Sequence, residues 1–96
     1  MPYAVVRHYK GSQDLIDELG RREEDVRTLI SGIDGFISYA LVRTDDGGYS
    51  VSIYETSEGV AESTRRAREY IQQNLSGINA ASPEILEGQT IVQFNR

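Results

Sequence analysis

The succession of hydrophobic patterns in this 96-residue chain predicts an α+β fold of order β-α-β-β-α-β, the split β-α-β arrangement. Three observations carry the prediction. Two segments repeat apolar residues at helical spacing, one after Ser12 and one after Ser57. Short runs rich in Val, Ile and Tyr stand before, between and after them. Turn chemistry sits at the joints, with Gly35 before the second strand and Asp45-Asp46-Gly47-Gly48 inside a hairpin.

The first strand is read over Tyr3–Tyr9, bounded by Pro2 and Gly11. Alternation places Tyr3, Val5, Arg7 and Tyr9 on one face, with Ala4, Val6 and His8 on the other. Ser12 is the expected N-cap of a helix of about 20 residues, with Asp14 suiting its dipole. Leu15, Leu19, Val26, Leu29, Ile30 and Ile33 fall within one stripe roughly 100° wide. Gly20 is the weak interior position, and Gly32 or Gly35 ends the helix. Phe36–Thr44 and Tyr49–Glu55 form the hairpin. A second helix starts near Ser57, turns Val60, Thr64, Ala67, Ile71 and Leu75 inward, and closes at Gly77 as its C′ residue. A small polar loop, Ser76–Ser82, leads to a short extended piece, Glu84–Glu87, and then to a last strand, Thr90–Phe94.

This order lays both helices on one face of a four-stranded antiparallel sheet. Each strand nevertheless carries apolar residues at both parities: Val5 and Tyr3 against Val6 and Ala4, Phe36 and Val42 against Ile37, Tyr39 and Leu41. A sheet apolar on both faces needs two covers. The expected second cover is the sheet of another subunit.

The length suits a single domain, residues 1–96, with a modest core of its own. A net charge of -5 opposes general nucleic-acid binding, which needs clustered Lys and Arg, and opposes an anionic membrane surface. Arg65, Arg66 and Arg68 are read as a helix face with i,i+4 pairing such as Glu62 with Arg66. Without cysteine there are no disulfides or thiolates, which fits the cytoplasm. No apolar run reaches the ~18 residues of a membrane span, and the N-terminus enters a strand rather than a secretory signal. No metal and no cofactor are expected.

The motif Gly35-Phe36-Ile37-Ser38-Tyr39 after a long first helix, the run Ser52-Ile53-Tyr54-Glu55-Thr56-Ser57-Glu58 into the second, and Pro83-Glu84-Ile85 with Gly88 resemble one family over the whole chain. It is the ferredoxin-like dimeric α+β barrel superfamily, specifically its antibiotic biosynthesis monooxygenase-like group, with small bacterial members. The resemblance implies a homodimeric barrel of two sheets, with a cleft between helices and sheet in each subunit. Members include cofactor-independent oxygenases of phenolic polyketides and haem-degrading enzymes. For the haem-degrading branch, the functional tryptophan falls at Tyr54 and the first-strand asparagine at about Val6. The iron-ligating histidine would lie within residues 63–68, which hold none. Haem degradation is therefore not expected.

Candidate site residues follow from chemistry. His8 is the one side chain whose ordinary pKa lies near neutrality, which suits a base, against a plain strand-end histidine. Tyr54, paired with it as a candidate catalytic residue, and Tyr39 offer an aromatic ring with a polar tip, against ordinary core packing. Arg22 falls inside the apolar stripe, as an anion receptor or as a side chain whose head reaches the rim. Thr64 and Ser52 are candidate ligand contacts, and Ser50 and Ser52 with Val6 and His8 are read as the sheet surface under the helices. The functional reading is a protein binding a small aromatic or anionic molecule in its helix–sheet cleft. The alternatives are a cofactor-independent monooxygenase-like enzyme acting on a phenolic or polyketide-type substrate, and a structural dimerisation module.

Overall fold

The computed structural model describes residues 1–78 and 82–96. Its elements are β1 (Tyr3–His8), α1 (Gln13–Arg21), α2 (Glu23–Ser31), β2 (Phe36–Thr44), β3 (Gly47–Tyr54), α3 (Ser57–Asn74) and β4 (Glu84–Gln89). All strand pairs are antiparallel, in the order β2-β3-β1-β4. The α+β class and the four-stranded sheet are as the sequence predicts.

The first helix is two helices. The chain breaks at Arg22, whose φ of -106° and ψ of 37° leave the helical region. Gly20 weakens the end of α1. Glu23, Glu24 and Asp25 then sit in a new first turn, where the helix dipole favours acids. Apolar phase survives the break, so Leu15, Ile16 and Leu19 of α1 and Val26 and Ile30 of α2 share one core with Val5, Tyr54, Val60 and Leu75. Ser12 stands at the N-cap of α1 but its side chain makes no capping bond, whereas Thr56 caps α3 by accepting from the Gly59 N–H at 3.2 Å.

The expected last strand, Thr90–Phe94, is displaced. The ladder to β1 is made by Glu84–Gln89, paired from Tyr3↔Gln89 to His8↔Glu84. β1 supplies only these partners, and the final bond runs from the Thr90 N–H to the Pro2 carbonyl at 2.8 Å. Ile91, Val92 and Phe94 therefore lie beyond the sheet and are exposed. α3 ends at a Leu75 C-cap, and Gly77 does not take the positive φ of a C′ glycine. The expected loop Ser76–Ser82 contains residues 79–81, which lie outside the described residues.

The register decides the faces. Val5↔Ser52, Arg7↔Ser50 and Tyr3↔Tyr54 put Val5 and Arg7 under the helices together with Ser50, Ser52 and Tyr54. A register shift between Phe36 and Ser38 brings Phe36, Tyr39 and Leu41 to the same side. Val6 and His8, expected under the helices, point the other way, with Ala40, Val42, Tyr49, Val51, Ile53 and Leu86. Among the described residues no element covers that second face.

The hairpin uses Asp45 and Asp46 as its two loop residues, and neither takes a positive φ. The positive φ, 140°, is at Gly47, where the hairpin docks on the turn after β1. Gly11 N–H donates to the Asp46 carbonyl, and Tyr9 N–H to the Gly48 carbonyl at 2.9 Å. A Cβ on Gly47 would collide with the Tyr9 carbonyl oxygen. Gly47→Ala is expected to lower stability by at least the roughly 1–3 kcal/mol of such backbone strain. Gly88→Ala, at a position with open space around it, is the matched control in chemical denaturation.

Candidate functional site

The centre of the helix–sheet space is a cation. Arg7 is 1% exposed, held between the sheet and α3. One terminal nitrogen donates to Ser50 Oγ and Ser52 Oγ, each at 3.3 Å. The other donates to Ser63 Oγ at 2.7 Å and Thr64 Oγ1 at 3.0 Å. The Nε–H is buried without an acceptor among the described residues. No carboxylate lies within ion-pair distance of Arg7 among the described residues. The remaining three positions, Asn79, Ala80 and Ala81, carry no acidic side chain.

Magnitudes show why this arrangement can persist and what it lacks. Taking an ion out of water costs several kcal/mol even after relaxation. Hydrogen bonds to a charged group return roughly 1.5–3 kcal/mol each. Four hydroxyl acceptors therefore offset the desolvation, yet none carries a negative charge. The site is solvated by protein hydroxyls and electrostatically unbalanced.

Two chambers flank this centre. One, about 260 Å³, opens between α3 and the β1–β4 edge, against Arg7, Tyr9, Thr64, Ala67, Ile71 and Ile85. The other, about 490 Å³, opens between the α1–α2 pair and β2, against Leu19, Val26, Ile30, Phe36, Tyr39 and Leu41. A void of about 20 Å³, bordered by Arg7, Tyr39, Ser50 and Tyr70, lies between them. That volume holds about one water.

The residues singled out from sequence separate cleanly by position. Ser52 and Thr64 are on Arg7, and Tyr39 lines the larger chamber. Tyr54 is fully buried and donates its hydroxyl proton to the Ile30 carbonyl at 2.9 Å, tying β3 to α2. Arg22 stands outside both chambers. It donates to Glu18 at 2.9 Å and to the Tyr70 hydroxyl at 3.4 Å, which in turn donates to Asp25 at 2.9 Å. These partners, hydrogen bonds first, raise the Arg22 pKa. His8 is on the opposite face of the sheet. It stacks on Tyr49 with ring centroids 4.2 Å apart, and its Nε2 lies 3.2 Å from Asp46 Oδ2. It cannot act as a base in the cleft. The expected Glu62–Arg66 pairing is present at 2.8 Å, beside Arg65 on the same acid, and these bonds hold the Glu62 carboxyl at about 2.

Arg7 is not among the candidate site residues read from the sequence. The available signal was parity. Arg7 alternates with Val5 and Tyr9, and Ser50 and Ser52 alternate with Tyr54. A cation in the apolar series of one strand, opposite hydroxyls in the apolar series of its partner, marks a buried polar site.

Haem ligation does not fit these residues. The α3 segment 63–68 holds no histidine, His8 is engaged on the other face, and the Tyr54 hydroxyl is committed to a backbone carbonyl.

No family model matches the chain, and no curated protein sequence matches it. Solved structures do. The protein provisionally named an antibiotic biosynthesis monooxygenase from Bordetella bronchiseptica superposes with a TM-score of 0.69 at 14% identity, over 95% of this chain and 98% of that one. A second so named, from Nitrosomonas europaea, gives 0.69 at 10%, over 94% and 90%. The haem degrader MhuD of Mycobacterium tuberculosis, solved with two haems in its active site, gives 0.68 at 15%, over 97% and 99%. The fold is thus the ferredoxin-like fold of the antibiotic biosynthesis monooxygenase-like proteins, as the sequence resemblance implied.

Burial pushes the Tyr39 phenol up to about 12 from its ordinary 10.0, with Tyr9 adding to the rise. The neutral phenol is thus favoured by the folded state. Its contribution to stability is complete below about pH 10 and is lost as pH rises through about 12. Denaturation midpoints measured across that window should fall for the wild type and fall less steeply for Tyr39→Phe.

Proposed function

We propose that this protein binds a small anionic molecule in its helix–sheet cleft and works as a homodimer in the cytoplasm. The observation that carries the reading is Arg7, a buried cation with hydroxyl partners only, bordering a cavity. A charge so placed is expensive for stability alone, since an apolar residue of similar volume fills the same space without desolvation. A bound anion supplies the missing counter-charge.

Chambers of about 260 and 490 Å³ weigh against a purely structural module, whose helix–sheet space would be filled by side chains. The monooxygenase-like alternative draws support from the names of the structural neighbours. It loses the base first considered for it, because His8 faces away from the cleft. No helix among the described residues is long and apolar enough to cross a membrane.

Dimerisation is supported by the outer sheet face. Leu86, 63% exposed, and Val42 stand there beside the apolar side chains of Val6, Val51 and Ile53. Sheet faces of this composition pack about 10 Å apart against another sheet. Sedimentation at micromolar concentration is expected to give twice the monomer mass. Leu86→Lys, at a position exposed in the monomer, should shift it to one chain without unfolding. A wild-type monomer would remove the dimer from the reading.

Ligand occupancy has its own test. Native mass spectrometry of gently purified protein should show a small-molecule adduct. Ala67→Phe, which fills the chamber beside Arg7, should reduce it while far-UV circular dichroism stays unchanged. An adduct indifferent to Ala67→Phe would place the bound molecule elsewhere and count against the cleft.

A further inference from the structure

We infer that the chamber between α3 and β4 is the receptor for a small organic monoacid: one ionised carboxylate at Arg7, joined to an apolar body, aryl or alkyl. This rests on the reading of the cleft as a ligand site and specifies its chemistry.

Charge selects the anion. Among the described residues the chamber is bordered by two arginines, Arg7 and Arg68, and by no acidic side chain. Arg7 is at its floor. Arg68 is exposed at its mouth, with no ion pair among the described residues. A buried charge of one unit is balanced by one unit of opposite sign. A second negative charge carried inward would be left uncompensated in a low-dielectric space. Arg68 lies in solvent, where salt screens it, and acts on approach rather than on bound affinity.

The donors suit a carboxylate. Arg7 retains its unpartnered Nε–H. Thr64 accepts from Arg7 through its oxygen and keeps its own proton to donate. Tyr9 is on the same wall, and its phenol, neutral near pH 7, carries a proton to donate. Three donors that keep their protons near neutral pH hold an anion already formed.

The walls select an organic body over a free inorganic ion. Apart from Gln72, Ser82 and the polar groups named above, the surface is Leu15, Ala67, Ile71, Pro83 and Ile85. An inorganic anion would leave these side chains wet, whereas an apolar body removes them from water at about 25 cal/mol per Å². A volume of about 260 Å³ gives space for on the order of ten heavy atoms, taking roughly 30 Å³ for each water-sized group.

The test is isothermal titration with two probes of equal size, phenylacetate and phenylacetamide, near neutral pH. Phenylacetate is expected to bind the wild type about tenfold to hundredfold more tightly than the amide, the range of a charged over a neutral hydrogen-bonded partner. Arg7→Met should abolish that preference, with a lower melting temperature from the four hydroxyls it leaves without their donor. Ala67→Phe, which keeps Arg7 but fills the chamber, should block both probes and covers the case in which Arg7→Met does not fold. Equal binding of acid and amide would overturn the monoacid while leaving the cleft as a ligand site. If neither probe binds but the native adduct persists and is lost in Ala67→Phe, the monoacid is again overturned and the cleft stands. Binding of neither probe, with no adduct, would remove the ligand reading itself.

Discussion

The structure turns on the burial of one guanidinium. Arg7 needs acceptors on several sides, and they come from two segments distant from it in sequence: Ser50 and Ser52, two apart on β3, and the adjacent Ser63 and Thr64 on α3. The β1–β3 register must set Arg7 opposite Ser50, and α3 must cross the sheet with its hydroxyl face down. A slip of one residue in β1 would send Arg7 to the outer face and His8 inward. Close approach of α3 is permitted by Gly59, where a Cβ would meet the Tyr54 ring and Cβ at about 3 Å. Tyr54 then reaches α2 through its bond to the Ile30 carbonyl. Sheet, α2 and α3 are thus joined around a polar centre rather than an apolar plug.

The polar centre lies between the two chambers. The chambers open there, one toward each edge of the sheet, with Tyr39 and Tyr70 at the waist between them. The chain makes a turn between α1 and α2 at Arg22. The Glu18–Arg22–Tyr70–Asp25 chain secures that turn against α3. Such exposed ion pairs contribute little singly, but the tyrosine in this chain joins helices rather than decorating one.

The two sheet faces divide the work. The helix face carries the charge and the cavities. The outer face carries aliphatic side chains and the His8–Tyr49 stack. His8 is the one side chain whose ordinary pKa lies near neutrality. Its position shows why side-chain chemistry without a face assignment is a weak guide.

Element type and order were legible because local periodicity governs them: the stripes of α1–α2 and α3, the Val- and Tyr-rich strands, and the hairpin at Asp45-Asp46-Gly47-Gly48. The resemblance carried by Gly35–Tyr39 and Ser52–Glu58 extended this to the fold. What depends on partners distant in sequence was decided by the tertiary structure alone. Strand parity fixed Arg7, Val5 and Tyr9 as one series, but only pairing with β3 and the docking of α3 chose that series for burial. The pairing register with β1 chose Glu84–Gln89 over Thr90–Phe94 as the last strand, since a strand exists only where a neighbour offers hydrogen-bonding groups. Arg22 and Arg7 exchanged roles for the same reason. A helix surface lets a long cationic side chain reach water, while the middle strands of a sheet covered by helices leave it nowhere to go but into a pocket of hydroxyls.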